Sequence, residues 1–250
     1  MLKAHDTRKK SWYRDWTESI IWAAVMALII RSLLIQAFKI PSGSMEDTLL
    51  VGDFLMVNKF IYGTKIPFTD RAVLPGIRPP VPGDIVVFKY PLDGRDFIKR
   101  CVAVEGDTVE VVGRDLYVNG KRPDEPYAVH KVWEPSQNKD SVKNIWKPDY
   151  QRAWEERKFV QLGWMRDNFG PVVVPPGNIF AMGDNRDNSA DSRYWGFLPL
   201  SYLKGRPWLI YFSYQAERDA YLKTGLRDRL KKFVSFLPKA RWRRMFKIIH

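Results

Sequence analysis

The chain has 250 residues, 45% hydrophobic and 14% aromatic, enough for one large or two small packed domains. Its formal net charge of +13 favours an anionic partner, nucleic acid or an acidic lipid surface, without choosing between them. The one cysteine, Cys101, excludes an internal disulfide and a cysteine-rich zinc site. Of the three histidines only His130 is placed for a folded site, so a Ser-His-Asp enzyme has little support.

Residues 1–17 form a basic N-terminal segment with Lys3, Arg8, Lys9, Lys10 and Arg14. From Ile20 to Phe38 the sequence reads IIWAAVMALIIRSLLIQAF. As a helix this run covers about 28 Å, close to the hydrocarbon thickness of a bilayer. Trp12, Tyr13, Trp16 and Trp22 suit an interfacial aromatic belt at one end, and Arg31 lies toward the other, where it can snorkel to the headgroups. A transmembrane helix is therefore predicted over 18–38. The basic flank places the N-terminus in the cytoplasm and everything after Phe38 outside. A cleaved secretion signal is the rival, opposed by the long charged prelude and the lack of an A-x-A site. A buried core helix is opposed by apolar residues on all faces.

Next comes IPSGSMEDTLLVGD, from Ile40 to Asp53. By spacing alone Ser44, followed by Glu46 and Asp47, reads as a helix cap or linker. The texture then changes to short apolar runs between turn signals. FLMV, DIVVFKY, DFIKRCVAV, TVEVV, DLYV, PVVV, NIFAM and PWLIYF follow one another, with Asn119-Gly120 a strong hairpin signal after DLYV. Seventeen prolines and sixteen glycines fit this pattern of turns. Many short strands without helical periodicity between them imply a mainly-β domain over 39–216.

Within DFIKRCVAV, strand alternation places Phe97, Lys99, Cys101 and Ala103 on one face, and Ile98, Arg100, Val102 and Val104 on the other. A lysine among apolar neighbours loses its proton more readily, as a lysine base must. The competing reading is an edge-strand lysine that blocks aggregation. Residues 127–168, rich in Trp, Lys, Arg, Asp and Gln, read as an insertion or smaller subdomain. MGDNRDNSADSRYWGF, from Met182 to Phe197, suits a hydrogen-bonded network that fixes a loop under a site. It fails the EF-hand pattern in both registers: the third position from Asp184 is Arg186, and the sixth from Asp187 is Ser192 rather than glycine. The basic tail, 217–250, fits either an interfacial segment on anionic lipid or a solvated helix with some packing. Nucleic acid has no motif behind it and is not expected.

Together these segments resemble the type I signal peptidases, the Ser/Lys proteases that remove signal peptides from exported proteins. The order is a span, PSGSM with TLLVGD, GDIVVF, IKR with GD, then GDNRDNSADSRYWG. The resemblance covers most of Phe38–Tyr211. It implies a transmembrane helix followed by a β-rich catalytic domain of the signal peptidase type with an inserted subdomain. It further implies Ser44 as nucleophile and Lys99 as general base, with the Ser44 N–H and Ser42 hydroxyl as oxyanion hole. Ser189 would hydrogen-bond the Lys99 amine, Asp191 and Arg193 would form a supporting ion pair, and Gly183 and Asp184 would shape the same loop. Ile40, Pro41, Met45, Leu49, Phe97 and Ile98 would line shallow substrate pockets. The implied partners are secretory precursors and the lipid bilayer, at the outer face of the inner membrane, with no cofactor and no metal. A processing peptidase dedicated to one secretion system and a non-enzymatic membrane-tethered binding protein on the same fold are the alternatives. The family often has proline where Asp47 and Glu105 stand, so local loop geometry is expected to differ there.

Overall fold

The computed structural model describes residues 12–33, 35–65, 72–132, 150–157, 164–215 and 239–249. The basic stretch before Trp12, the side chain of Arg31, positions 133–149 and 158–163 of the 127–168 segment, and 217–238 and 250 of the tail lie outside the described residues.

Helix α1 (Trp12–Leu33) leads into strand β1 (Ile35–Lys39). The helix expected over 18–38 is corrected at both ends: it begins earlier, and its last residues form a strand. A continuous apolar run carries no period that separates helix from strand, so the tertiary partner decides. Here that partner is β2 (Asp53–Asn58), against which Ala37 lies opposite Met56 and Phe38 opposite Leu55. Side chains from Trp12 through Leu28 are exposed. Among the described residues no helix is long and apolar enough to cross a membrane.

The short strands β3 (Thr64–Lys65) and β4 (Ala72–Leu74) pair with each other. Strands β5 (Ile85–Lys89), β6 (Asp96–Val104), β7 (Thr108–Val112) and β8 (Asp115–Val118) follow. Helix α2 (Tyr150–Glu155) precedes β9 (Phe169–Val173) and β10 (Asn178–Met182). Helix α3 (Ser192–Trp195), β11 (Leu198–Pro199), β12 (Leu203–Ser213) and β13 (Lys247–Ile248) complete the chain. The main sheet runs β1-β2-β12-β5-β6-β10-β11, with β13 added on β12, and a separate sheet runs β8-β7-β9.

The unbroken apolar run of β5 follows from burial on both faces. Ile85 and Val87 join Phe38, Met45, Leu49, Leu55 and Ile210 in one cluster. Val86 and Phe88 join Cys101, Ile179, Trp195 and Leu198 in another. A third cluster fills the space between the main sheet and the smaller one, joining Val102 and Phe180 to Val109, Val111, Tyr150, Trp154 and Phe169. The 127–168 segment therefore does not stand alone: its helix α2 is part of a core shared with β7, β8 and β9. Gln151 also seals the edge of β9, its amide donating to the Val173 carbonyl and its carbonyl accepting from the Val173 N–H.

The end of the tail is part of the domain as well. Gln215 N–H donates to Lys239 O, Arg241 N–H donates to Ser213 O, and β13 pairs Ile248 with Leu209.

Candidate active site

Strand β6 is paired on both sides, with Val86 of β5 opposite Lys99, and with Ala181 and Met182 of β10 opposite Cys101 and Arg100. That excludes the edge-strand reading of Lys99. Its side chain is 4% exposed, and its Nζ lies 5.8 Å from the centre of the Phe97 ring. Burial drives its pKa down from 10.5; the charges of Asp191 and Asp184 pull partly the other way, and the result is about 8.

Ser44 is carried on the turn between β1 and β2. Glu46 N–H donates to Gly43 O, and Leu49 N–H donates to Met45 O, so the expected cap becomes a compact turn rather than a long helix. Met45 and Leu49 anchor it in the first cluster. The outcome is a 2.6 Å hydrogen bond from Lys99 Nζ to Ser44 Oγ, between residues far apart in sequence.

The Met182–Phe197 loop wraps this pair as a network. Asp191 caps α3 by accepting from the Arg193 N–H. Its carboxylate also accepts from Arg193 Nε and Nη2, both at 2.9 Å, and from Gly183 N–H at 3.2 Å. Burial alone would raise the pKa of Asp191, but the charge and hydrogen bonds of Arg193, the Lys99 charge and the Gly183 N–H together outweigh it and hold the carboxyl below its ordinary range. Arg193 further donates to the Arg166 and Arg186 carbonyls, and Trp154 of α2 donates to the Arg193 carbonyl. Asn185 N–H donates to the Ser44 carbonyl at 3.1 Å. Gly183 is demanded by space: a Cβ there would collide with Ser189 Oγ and the Ser44 carbonyl oxygen.

Not every expected contact is made. Ser189 is buried beside Gly183, but its Oγ has no hydrogen-bond partner among the described residues, so the bond to the Lys99 amine is absent. The six residues expected to line pockets divide. Ile40, Met45 and Leu49 are buried in the core, at 3%, 1% and 0% exposure; they support the turn from beneath because they fill the space between β1, β2 and β5. Pro41 is exposed, and Phe97 and Ile98 are half-buried on opposite faces of β6. Ser42 is exposed on the same turn as Ser44. His130 joins Asp187, at 3.3 Å, not Ser44.

Several residues passed over in the sequence belong to the network. Arg100, next to Lys99 and on the other face of β6, donates from Nε and Nη2 to Asp184 at 2.8 and 2.7 Å. Thr48 Oγ1 donates to the same carboxylate at 2.6 Å, which ties the strand of Lys99 to the turn of Ser44. The available signal was an arginine inside an apolar strand, which requires a buried acid. Arg186 makes a two-pronged pair with Glu125, at 2.8 and 2.6 Å. Lys131 donates to Asp47 at 3.0 Å and lies 3.4 Å from Glu46. Asp47 has φ of 75°, which the fixed ring of proline forbids, so the turn as it stands does not admit proline at this position. Glu105, the other departure, accepts from the Gly177 N–H at 2.8 Å.

The family profile described as "Signal peptidase, peptidase S26" matches residues 13–212. A protein named signal peptidase I from Buchnera aphidicola subsp. Schizaphis graminum is 31% identical, over 88% of this chain and 80% of its own. One of the same name from Pseudomonas aeruginosa is 36% identical, over 80% and 72%. Another from Aquifex aeolicus is 36% identical, over 74% and 79%. A match of that extent, over a chain whose serine and buried lysine share a hydrogen bond, means that this chain belongs to the signal peptidase family, peptidase S26, the serine endopeptidases that cleave signal peptides.

Proposed function

We propose that the chain hydrolyses one peptide bond of a secretory precursor with Ser44 as nucleophile and Lys99 as general base. The observation that carries this reading is the 2.6 Å contact between Ser44 Oγ and a buried lysine amine whose pKa is depressed to about 8. Once Lys99 is neutral the bond reverses direction and the hydroxyl donates to Nζ. Oγ then attacks the scissile carbonyl carbon as its proton passes to the amine. The oxyanion accepts from the Ser44 N–H and the Ser42 hydroxyl, where loss of one donor typically costs about 10²–10³ in rate. The Lys99 ammonium protonates the departing amine. The neutral amine next takes a proton from water, which attacks the acyl ester and frees Ser44.

Asp191, Arg193, Asp184 and Gly183 hold the loop behind the pair, and Pro41, Phe97 and Ile98 contact the precursor over the floor made by Ile40, Met45 and Leu49. The exposed apolar side chains of α1 between Trp12 and Leu28 support a membrane anchor, and the basic residues Lys3, Arg8, Lys9, Lys10 and Arg14 support a cytoplasmic N-terminus with the domain on the extracytoplasmic face. Anchoring keeps enzyme and precursor at one surface and raises their effective concentration. The test is cleavage of a precursor with an Ala-x-Ala site by Ser44→Ala and Lys99→Ala, with circular dichroism to show that each folds. Each variant is expected to be inactive, and normal cleavage by either sinks the assignment.

A further inference from the structure

The tail that the sequence left undecided returns to the underside of the turn that carries Ser44. Two of its arginines reach that turn. Arg244 Nη2 donates to the Thr48 carbonyl at 3.0 Å and to Asp53 Oδ2 at 2.6 Å, and Nε donates to Asp53 Oδ1 at 3.3 Å. Arg241 Nη2 donates to the Val51 carbonyl at 2.6 Å and to the Tyr214 carbonyl at 2.9 Å. Asp53, where the turn meets β2, is fully buried and also accepts from Leu50 N–H and Ser213 Oγ.

A buried carboxylate needs a counter-charge, and among the described residues the ion pairs of Asp53 are both with the tail: Arg244 at 2.6 Å and Arg241 at 3.7 Å. Thr48 is the shared point. Its hydroxyl donates to Asp184 on the loop side, and its carbonyl accepts from Arg244 on the tail side. The turn is therefore gripped from two directions, while Lys99 is fixed independently in the middle of the main sheet.

We infer that residues 239–249 form an intramolecular clamp on the nucleophile turn and that Arg244 is a positioning residue for the reaction, an inference that rests on Ser44 being the nucleophile. Without Arg244 the Thr48 carbonyl loses this donor and Asp53 keeps only the more distant arginine. The turn then pivots about the Thr48–Asp184 bond, and Ser44 Oγ drifts relative to Lys99. Misplacement by ~1 Å at a reacting centre costs on the order of 10²-fold. That loss falls on kcat, because Arg244 touches the turn from beneath and not the residues assigned to the precursor.

The experiment uses the full chain in detergent micelles with an Ala-x-Ala precursor. It measures kcat, KM, the pH profile and the unfolding midpoint for Arg244→Ala and Arg244→Lys. Arg244→Ala is expected to lose ~10²-fold in kcat with KM and the pH midpoint unchanged, and added guanidinium ion is expected to restore part of kcat in this variant alone. Arg244→Lys keeps a charge for Asp53 without the two-pronged grip, so it should fold and still show a reduced kcat. Wild-type kcat in either folded variant, a loss confined to KM, or a displaced pH midpoint overturns the clamp. Should Arg244→Ala fail to fold, Arg244→Lys decides. A Ser44→Ala control separates the two claims: activity there refutes the nucleophile itself, whatever the arginine variants do.

Discussion

The depressed pKa of Lys99 makes a quantitative demand on both activity and stability. The drop from 10.5 to about 8 corresponds to about 3 kcal/mol against charging the amine in the folded chain. At pH 7 roughly one amine in ten is then neutral, against about three in ten thousand for a free lysine. With Lys99 as base, kcat/KM on an Ala-x-Ala precursor rises with pH and levels off above about 8. The stability consequence has a fixed sign. Between pH about 8 and 10.5 the unfolded chain holds the lysine proton and the folded chain does not, so stability rises with pH through that window. Below it both states are protonated and the term is constant. Urea unfolding of the wild type and Lys99→Met at half-unit steps from pH 7 to 11 isolates the effect, because the other titrating groups are common to both. The difference between the two proteins should move by up to about 3 kcal/mol in favour of the wild type as pH rises. A difference that stays flat, together with an activity midpoint near 10, refutes the reasoning.

Two further outcomes test the surrounding network. Gly183→Ala forces a Cβ against Ser189 Oγ and the Ser44 carbonyl. It should cost about 1–3 kcal/mol on unfolding, with a fall in kcat measurable at a temperature where the variant is fully folded. Arg100→Met leaves Asp184 buried with its charge unmatched by that guanidinium, and a loss of about 3–5 kcal/mol is expected by denaturant titration. Adding Asp184→Asn should recover part of it, which a mere packing defect at Arg100 would not allow.

Much of the sheet was legible because burial wrote itself into the apolar runs. NIFAM is β10 and DFIKRCVAV is β6, residue for residue, since each is bounded by turn signals and lies in the sheet interior. The Asn119-Gly120 signal was read as a hairpin, and both residues have positive φ, but the turn closes only a single bridge between Val118 and Lys121. The hairpin joining β7 to β8 instead turns at Gly113-Arg114, where arginine adopts φ of 84°. No dipeptide rule picks out arginine there, because the requirement comes from strand register.

What stayed hidden depended on partners distant in sequence. Ile35–Lys39 looks like the end of a helix until β2 is beside it. Arg244 looks like one more base in a basic tail until Asp53 and Thr48 are beneath it. Ser44 and Lys99 were found by resemblance, since each alone had an ordinary explanation. Their meeting depends on the pairing of β5 with β6 and on the packing of Met45 and Leu49, neither of which any local pattern records.

The central place of β6 bears on how such an enzyme can diversify. Lys99 shares its strand with Cys101, Val102 and Ala103, which serve two different apolar clusters, so almost any change nearby disturbs the core before it alters chemistry. Ser42 and Asp47 are exposed, and Glu46 only partly covered, on the turn that carries Ser44. Sequence drift is therefore channelled. Lys99 is held constant by the architecture, while the exposed positions of the turn are open to experiment, and the Asp47–Lys131 pair is a local arrangement of the kind such freedom permits. Adaptation to new precursors should accumulate on the serine's side of the pair.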